Sequence, residues 1–159
     1  MNPNKNKGRA YKMVMSKMKE SHENNDIFHL IGLIASCESI ISDRLESFLI
    51  NSKNEKYIKI YSHKKRFLSL SELLKLSKSE LNYSVELKKS KNKIETQNLY
   101  SEIIQWKAKR NEIIHSVCKS KSIEIHKTET KLLQDAKSIC IEGHRILRFI
   151  LKWSQSLKL

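Results

Sequence analysis

The stretch "NNDIFHLIGLIASCESIISDRLESFLIN", residues 24–51, decides the fold class. Its apolar residues recur at steps of three and four, which is the spacing of one face of an α-helix. The residues on that face are Leu30, Ile34, Cys37, Ile41, Leu45 and Phe48. Asn25 or Asp26 stands at the start of the pattern and has a side chain that can cap the first turn. The stretch therefore predicts a long amphipathic helix with one core-facing side.

Glycine and proline are scarce, and this scarcity extends the helical prediction to the rest of the chain. The 159 residues include 3 glycines and 1 proline, too few for the turns of a β protein. Hydrophobic residues make up 39% of the chain, which is enough for a core and argues against wholesale disorder. We therefore expect an all-α, four-to-five-helix bundle. It forms a single domain at residues 10–159, which begins with a short helical segment ending near Glu20 and follows a flexible tail at residues 1–9.

Ser69 and Glu72 have the spacing of a capping box, which marks the start of a helix. The apolar face of that helix is predicted to consist of Phe67, Leu70, Leu73 and Leu74. From residue 78 to 95 the apolar pattern weakens and lysine dominates. This segment is predicted to be partly helical and mobile at its lysine-rich end.

The last helix is predicted at residues 128–156, with an apolar stripe that contains Gly143. Glycine on a helix stripe costs about 1 kcal/mol of helix propensity, so we expect a neighbouring helix to approach closely there. Trp106 and Trp153 also lie on apolar stripes, which predicts core positions rather than base-stacking platforms.

The helix predicted at residues 96–119 carries an arginine on its core-facing stripe. That stripe consists of Leu99, Ile103, Trp106, Arg110, Ile113 and Val117. A buried guanidinium without a partner is very costly, so Arg110 must pair, extend its head to water or line a cleft. A structural ion pair with Glu38 or Asp43 of the first long helix is one interpretation of this residue.

The same helix has a second stripe of small and semi-polar residues: Ile104, Ala108, Asn111, His115 and Cys118. Residues five positions apart on an ideal helix differ by about 140°, so Arg110 and His115 do not converge within one straight helix. The second face predicts packing against another subunit, with the two residues flanking a cleft between packed units. An exposed histidine without a catalytic role is the other interpretation of His115.

The net charge of +14 favours a nucleic-acid partner, because cationic side chains release counterions from phosphates. The excess is nearly all lysine, however, and a sequence bias toward Lys, Ile, Asn and Ser also makes a surface basic. The candidate contacts to an RNA backbone are Lys88, Lys89, Lys91, Lys93, Lys107, Lys109, Lys119, Arg145, Arg148 and Lys152. A solvated basic face is the alternative for each cluster.

Cys37, Cys118 and Cys140 lack metal-binding spacing, which predicts buried thiols in a reducing cell. The six histidines show no HxxxH or HExxH spacing, so we expect neither a metal site nor a cofactor. No apolar run approaches the roughly 18 residues of a membrane span, and the basic N-terminus lacks the apolar core of a signal peptide. We expect a cytoplasmic protein that does not contact membranes.

The hexapeptide "RNEIIH", residues 110–115, resembles the signature of HEPN domains: Arg, four to six residues, then His, often with a small polar residue after the Arg. The helix order is also similar, since HEPN domains are small helical bundles with this motif near the end of an internal long helix. Glu38 matches the acidic residue that the opening HEPN helix often carries. The resemblance covers about residues 26–157.

The resemblance implies a metal-independent endoribonuclease, acting as a homodimer with a composite active site and no cofactor. Its roles would be those of a toxin, an antiviral defence enzyme or an RNA-processing enzyme, with an antitoxin or regulatory partner protein. Arg110 and His115 would be catalytic, with Asn111 and Glu38 in support. One toxin branch has a tyrosine two residues after the histidine; Val117 stands there in this chain, which departs from that branch and its nucleotidyltransferase antitoxin.

Three other functions fit parts of the sequence. The first is a non-catalytic helical module that binds RNA or a partner protein, with Arg110 structural. The second is a small antitoxin or immunity protein that binds another protein through the face containing His115. The third is a DNA-binding regulator, although no short helix-turn-helix pair with a tight glycine turn is present.

Overall fold

The computed structural model describes residues 3–64, 68–83, 93–119 and 125–156, with side chains described at 7–62, 68–79, 99–117 and 129–155. These ranges contain helices and no strand, which confirms the all-α prediction. They hold six α-helices, one more than the four to five expected: α1 (Pro3–Lys19), α2 (Ile27–Asn51), α3 (Glu55–Lys64), α4 (Leu70–Tyr83), α5 (Lys93–Lys119) and α6 (Ile125–Ser156).

Helix α2 begins where the sequence predicted, and Asp26 is its N-cap. The Asp26 Oδ1 atom accepts hydrogen bonds from the backbone N–H groups of Phe28 at 2.9 Å and His29 at 3.1 Å. Such a cap contributes about 1 kcal/mol because it satisfies N–H groups that have no partner within the helix. All six residues of the predicted core-facing stripe of α2 are buried, so this face is confirmed.

Helix α2 ends in a Schellman motif that also starts α3. Lys53 has a positive φ of 54°, and its N–H donates to the Ile50 carbonyl at 3.0 Å. The N–H of Asn54 donates to the Leu49 carbonyl at 3.0 Å, and its side-chain Oδ1 then accepts from the Tyr57 N–H at 2.8 Å. The sequence patterns above did not predict α3, although Tyr57, Ile60 and Tyr61 have the spacing of one helix face.

Lys53→Gly is expected to raise the free energy of unfolding by about 1 kcal/mol. A side chain with a Cβ adopts the left-handed conformation at a cost of roughly 1–2 kcal/mol, which glycine avoids, and the greater freedom of glycine in the unfolded chain offsets part of the gain. Urea unfolding would measure the change. Lys56→Gly, on an exposed position inside α3, is the matched control and should lose about 1 kcal/mol. Equal losses at both positions would contradict the left-handed cap.

The predicted capping box of α4 is present. Glu72 Oε2 accepts from both the backbone N–H and the hydroxyl of Ser69 at 2.9 Å, and the Ser69 Oγ accepts from the Glu72 N–H at 3.3 Å. The predicted apolar residues Leu70, Leu73 and Leu74 are buried, and Phe67 lies outside the described residues.

The remaining helix ends differ from prediction by a few residues. Helix α1 begins at Pro3, inside the stretch that was predicted as a flexible tail. Helix α4 continues to Tyr83, and α5 and α6 each begin three residues earlier than predicted. The lysine-rich stretch at residues 84–92 lies outside the described residues.

Contacts divide the chain into two compact units, so the prediction of a single domain stays a prediction. The first unit consists of Met1–Cys37 and Gln105–Leu147, and the second of Glu38–Ile104 and Arg148–Leu159. In the second unit, Phe48 of α2 and Trp153 of α6 are buried, with ring centroids 5.2 Å apart. Trp153 is therefore a core residue, as predicted.

In the first unit, four helices approach closely at Gly143 of α6, which confirms the predicted close approach. A Cβ atom at this position would lie 2.8 Å from Met18 Cε, 3.1 Å from Cys37 Sγ and 3.1 Å from Trp106 Nε1. Trp106 is 1% exposed, and its Nε1 donates to the Ile139 carbonyl at 2.9 Å. The prediction that Trp106 is a core residue is confirmed.

Two of the three cysteines lie in the same core as free, buried thiols, as predicted. The Cys37 Sγ donates to the Gly143 carbonyl and the Cys140 Sγ to the Leu30 carbonyl, each at 3.6 Å. Burial raises the pKa of both thiols, that of Cys140 to about 12, so they remain protonated at neutral pH. The side chain of Cys118 lies outside the described residues.

Candidate active site on helix α5

Arg110 occupies a half-buried position on the apolar stripe of α5. One turn to either side, Trp106 and Ile113 are buried, and the Arg110 Nε atom is itself shielded from solvent. This burial lowers the pKa of Arg110 below its ordinary value. A guanidinium stays charged in proteins, so α5 holds a partly desolvated cation, whose electrostatic effect on a nearby charge is stronger than in water.

Asn111 holds the head group of that arginine. The Arg110 Nη1 donates to the Asn111 Oδ1 at 2.6 Å, and the Asn111 side chain is also half-buried. The resemblance to HEPN domains implies that Asn111 binds phosphate or orients His115, and this role stays a prediction. The structure shows its amide oxygen as an acceptor for Arg110, which leaves the amide NH₂ as a hydrogen-bond donor.

His115 is exposed on α5. No other described residue holds its ring by a hydrogen bond or an ion pair. By helical register, it lies about 140° around the helix axis from Arg110, as the sequence predicted. The two residues are therefore on one helix but on different faces of it.

The predicted second stripe of α5 faces solvent as far as it is described. Ile104 is 55% exposed, Ala108 and His115 are exposed, and Asn111 is half-buried. Packing of this face against another subunit stays a prediction.

The two acidic residues that were predicted as partners of Arg110 lie on α2. Asp43 interacts with its neighbour Arg44, whose Nε donates to the Asp43 Oδ2 at 3.1 Å. Glu38 is half-buried and belongs to the second compact unit, whereas Arg110 belongs to the first. The role of Glu38 beside Arg110 stays a prediction.

The cationic residues that were predicted to bind RNA differ in their surroundings. Lys109 forms an ion pair with Glu142 of α6, with Nζ and Oε1 2.6 Å apart. Lys107 is half-buried, Arg145 and Arg148 are exposed on α6, and the side chain of Lys119 lies outside the described residues. Because Glu142 compensates its charge, Lys109 is the weakest of these candidates for binding phosphate.

A groove of about 380 Å³ lies between α5 and α6 in the first unit, and the sequence did not predict it. Its walls are formed by Lys109, Glu112, Ile113, Ser116, Leu132, Asp135, Ser138 and Ile139. Neither Arg110 nor His115 lines this groove. Its polar walls mix carboxylates with a single lysine, so it does not favour a phosphate.

Within the described residues, no group of three or more His, Cys, Asp or Glu side chains is arranged to hold a metal ion. None of the described helices is both long and apolar enough to cross a membrane. No protein-family model matches the chain, and no curated protein or solved structure matches it significantly. The family resemblance therefore rests on the motif and helix order alone.

Proposed function

We propose that the chain is a metal-independent endoribonuclease of the HEPN type. The observation that carries this proposal is the pairing of Arg110 with Asn111 on α5: a partly desolvated cation with an orienting contact at 2.6 Å. The exposed His115 lies further along the same helix. The motif residues thus combine a held cation that can bind phosphate with an accessible imidazole that can transfer protons, and these two groups suit metal-independent RNA cleavage.

In the proposed reaction, His115 acts as the general base or acid. The ribose 2′-oxygen gives up its proton and attacks the adjacent phosphorus, while the 5′-oxygen leaves and takes up a proton. The products are a 2′,3′-cyclic phosphate and a free 5′-hydroxyl. Proton transfer of this kind contributes about 10²–10⁴-fold to a rate.

Arg110 stabilises the negative charge that develops on the pentavalent phosphorus. A guanidinium that is already held in place, as Asn111 holds this one, needs little reorganisation when charge develops. The NH₂ group of Asn111 is then available as a further donor to the phosphate.

The proposed active enzyme is a homodimer. One protomer presents Arg110 and His115 on different faces of α5, so a second copy has to bring the two groups to one phosphate. The exposure of Ile104 and Ala108 on the face of His115 supports this arrangement, because apolar side chains there would be covered by a partner subunit. We also propose a biological role as a toxin or in antiviral defence, with an antitoxin partner. This part of the proposal is supported only by the resemblance to HEPN domains.

The test is cleavage of total cellular RNA by the purified protein in excess EDTA, followed by mapping of the new ends. We expect EDTA-resistant cleavage that leaves 2′,3′-cyclic phosphates and is lost in His115→Ala. His29→Ala is the matched control, since His29 is also an exposed helical histidine and should retain full activity. DNA should resist cleavage because it lacks the 2′-hydroxyl. Equal cleavage by His115→Ala, or cleavage of DNA, would exclude the mechanism.

A non-catalytic module that binds a partner protein is the second candidate. The observation that favours it is the ion pair between Lys109 and Glu142, which compensates one cation of the motif region. Under this alternative, Arg110 is structural, and the exposed face with Ile104 and Ala108 contacts another protein. The purified protein then leaves RNA intact, and His115→Ala changes no activity.

A further inference from the structure

The outward side of helix α6 carries an aromatic ring that the proposed active site does not use. Phe149 is 49% exposed, whereas Trp153, the other aromatic residue of this helix, is buried. Arg148 and Lys152, which the sequence indicated as candidate RNA contacts by their charge alone, are exposed on the same two turns. All four residues belong to the second compact unit. The structure therefore adds an exposed ring to this pair of cations.

Helical register places a cation beside the ring. Lys152 follows Phe149 by three positions, so the two side chains lie about 60° apart and are neighbours on the surface of the helix. Arg148 precedes Lys152 by four positions and lies about 40° from it, on the side away from the ring. Around the helix the order is therefore Arg148, Lys152 and Phe149, and we call these three residues the Phe149 face.

The charge of the Phe149 face is not compensated by acids. The sequence from Gly143 to residue 159 contains no Asp or Glu. Among the described residues, none forms a hydrogen bond or an ion pair with the side chain of Arg148 or Lys152. Lys109 differs in this respect, since Glu142 pairs with it. The two cations of the Phe149 face are thus available to an anionic ligand, which would gain affinity by releasing counterions.

We propose that the Phe149 face binds single-stranded RNA, with one base stacked on Phe149 and neighbouring phosphates at Lys152 and Arg148. Proteins bind single strands by this combination, in which an aromatic ring takes a base and adjacent cations follow the backbone. The choice of RNA as ligand rests on the proposed function, but binding at the Phe149 face needs neither Arg110 nor His115.

The Phe149 face suits RNA better than a membrane or a second copy of the chain. A helix that lies in a membrane surface buries a row of apolar side chains, whereas Phe149 is the one large hydrophobic residue exposed among residues 148–155. Across a twofold axis, a second copy would bring the same cations to face each other, and like charges in an interface repel. A base needs only a single ring.

The test is the affinity of the full-length protein for a short, fluorescein-labelled single-stranded RNA of mixed sequence, measured by fluorescence anisotropy. The RNA carries 2′-O-methyl riboses, which cannot undergo the proposed cleavage. Phe149→Ala should weaken binding about 5- to 150-fold, the loss typical of one base–aromatic stack. Phe149→Leu keeps an apolar side chain without a ring and should be similarly weak, and Phe149→Tyr should bind as tightly as wild type.

Phe28→Ala is the matched control for the ring. Phe28 is 74% exposed on α2, and no Lys or Arg stands three or four positions from it in the sequence. Its removal should leave the affinity for RNA unchanged. A fully base-paired duplex of the same sequence is the second control, because its bases are already stacked on each other. Phe149→Ala should therefore bind the duplex as tightly as wild type does.

The salt dependence of binding separates stacking from charge. Phe149→Leu should leave the slope of log K against log salt unchanged. Lys152→Gln should make the slope shallower by about 0.7, the value for one phosphate contact on a single strand. Lys17→Gln removes an exposed lysine of α1 and should not change the slope. Thermal unfolding of each variant checks that the fold is intact.

Four results would each overturn the proposal. They are a wild type that does not bind this RNA, Phe149→Leu that binds as wild type, Phe149→Tyr that is as weak as Phe149→Ala, and Lys152→Gln with an unchanged salt slope. An equal loss of duplex binding in Phe149→Ala would also count against it, because stacking on the ring requires an unpaired base.

The same experiment distinguishes the two proposals. Binding that depends on Phe149, in a protein that does not cut unmodified RNA, would retain the Phe149 face and reject the ribonuclease. Cleavage of unmodified RNA with an affinity that is insensitive to Phe149 would retain the ribonuclease and reject the Phe149 face as an RNA site. A face that contacts a partner protein or a membrane in place of RNA would give this second result.

Discussion

Arg110→Ala is expected to lower the rate of RNA cleavage by about 10²–10³-fold, and His115→Ala by about 10²–10⁴-fold. The first loss corresponds to removing one preorganised charge from the transition state, and the second to removing proton transfer. Single-turnover cleavage of a defined RNA, with enzyme in excess over substrate, measures both losses without a contribution from product release.

The double variant Arg110→Ala/His115→Ala should cleave RNA only slightly more slowly than the slower of the two single variants. Groups that act together on one transition state are not additive, because losing either one already removes most of the joint effect. Losses that multiply fully would indicate that the two residues act independently and would contradict a shared site.

The Arg110→Lys variant tests whether a positive charge at this position is sufficient for catalysis. Lysine retains the positive charge but lacks the planar donor fork that contacts the Asn111 Oδ1 and can bind a phosphate through two hydrogen bonds. We therefore expect Arg110→Lys to lose most of the activity. Arg9→Ala is the matched control, since it removes an exposed arginine of α1 and should leave the single-turnover rate unchanged. A fully active Arg110→Lys would show that only net charge matters.

Gly143→Val is expected to lower the free energy of unfolding by about 3 kcal/mol, which is a large fraction of the 5–15 kcal/mol that stabilises a typical domain. Met18 Cε can move, since it is the end of a flexible side chain. Cys37 Sγ and Trp106 Nε1, each 3.1 Å from the position of a Cβ, cannot move without disturbing the hydrogen bonds they donate to α6. Urea unfolding followed by circular dichroism measures the change.

Gly32→Val is the control for this prediction. Gly32 lies on the exposed side of α2, and apart from its chain neighbours and the backbone of its own helix no atom lies within 4 Å of the position that its Cβ would occupy. The same substitution there should leave stability unchanged or slightly raised, because valine has a somewhat better helix propensity than glycine. Equal free energies of unfolding for the two variants would contradict the close packing at Gly143.

The sequence by itself determined most of the helical architecture. Helix periodicity and capping depend on residues three or four positions apart, so they can be recognised without knowing the fold. The N-cap at Asp26, the capping box of Ser69 and Glu72, and the buried stripe of α2 are all present as predicted. The glycine on the stripe of α6 also predicted a close approach correctly, although not which helices would make it.

Helix α3 shows where local patterns were insufficient. Its start depends on Lys53 in a left-handed conformation and on a side-chain cap from Asn54. Asn54 is an ordinary N-cap residue, but Lys53 is not the glycine that usually takes such a conformation, and Tyr57 is the one buried side chain among residues 55–62. Only the packing of Tyr57 into the second unit makes this segment a helix with one buried side.

For the candidate site, the sequence determined the residue types and their register, and the tertiary structure decided their environments. The sequence placed Arg110 and His115 on different faces of one helix, because helical geometry alone fixes that angle. The sequence could not show that Lys109 pairs with Glu142, 33 residues away, or that Arg110 is half-buried while His115 is exposed. Charge compensation and desolvation depend on which distant residues pack together, and that is decided only when the helices meet.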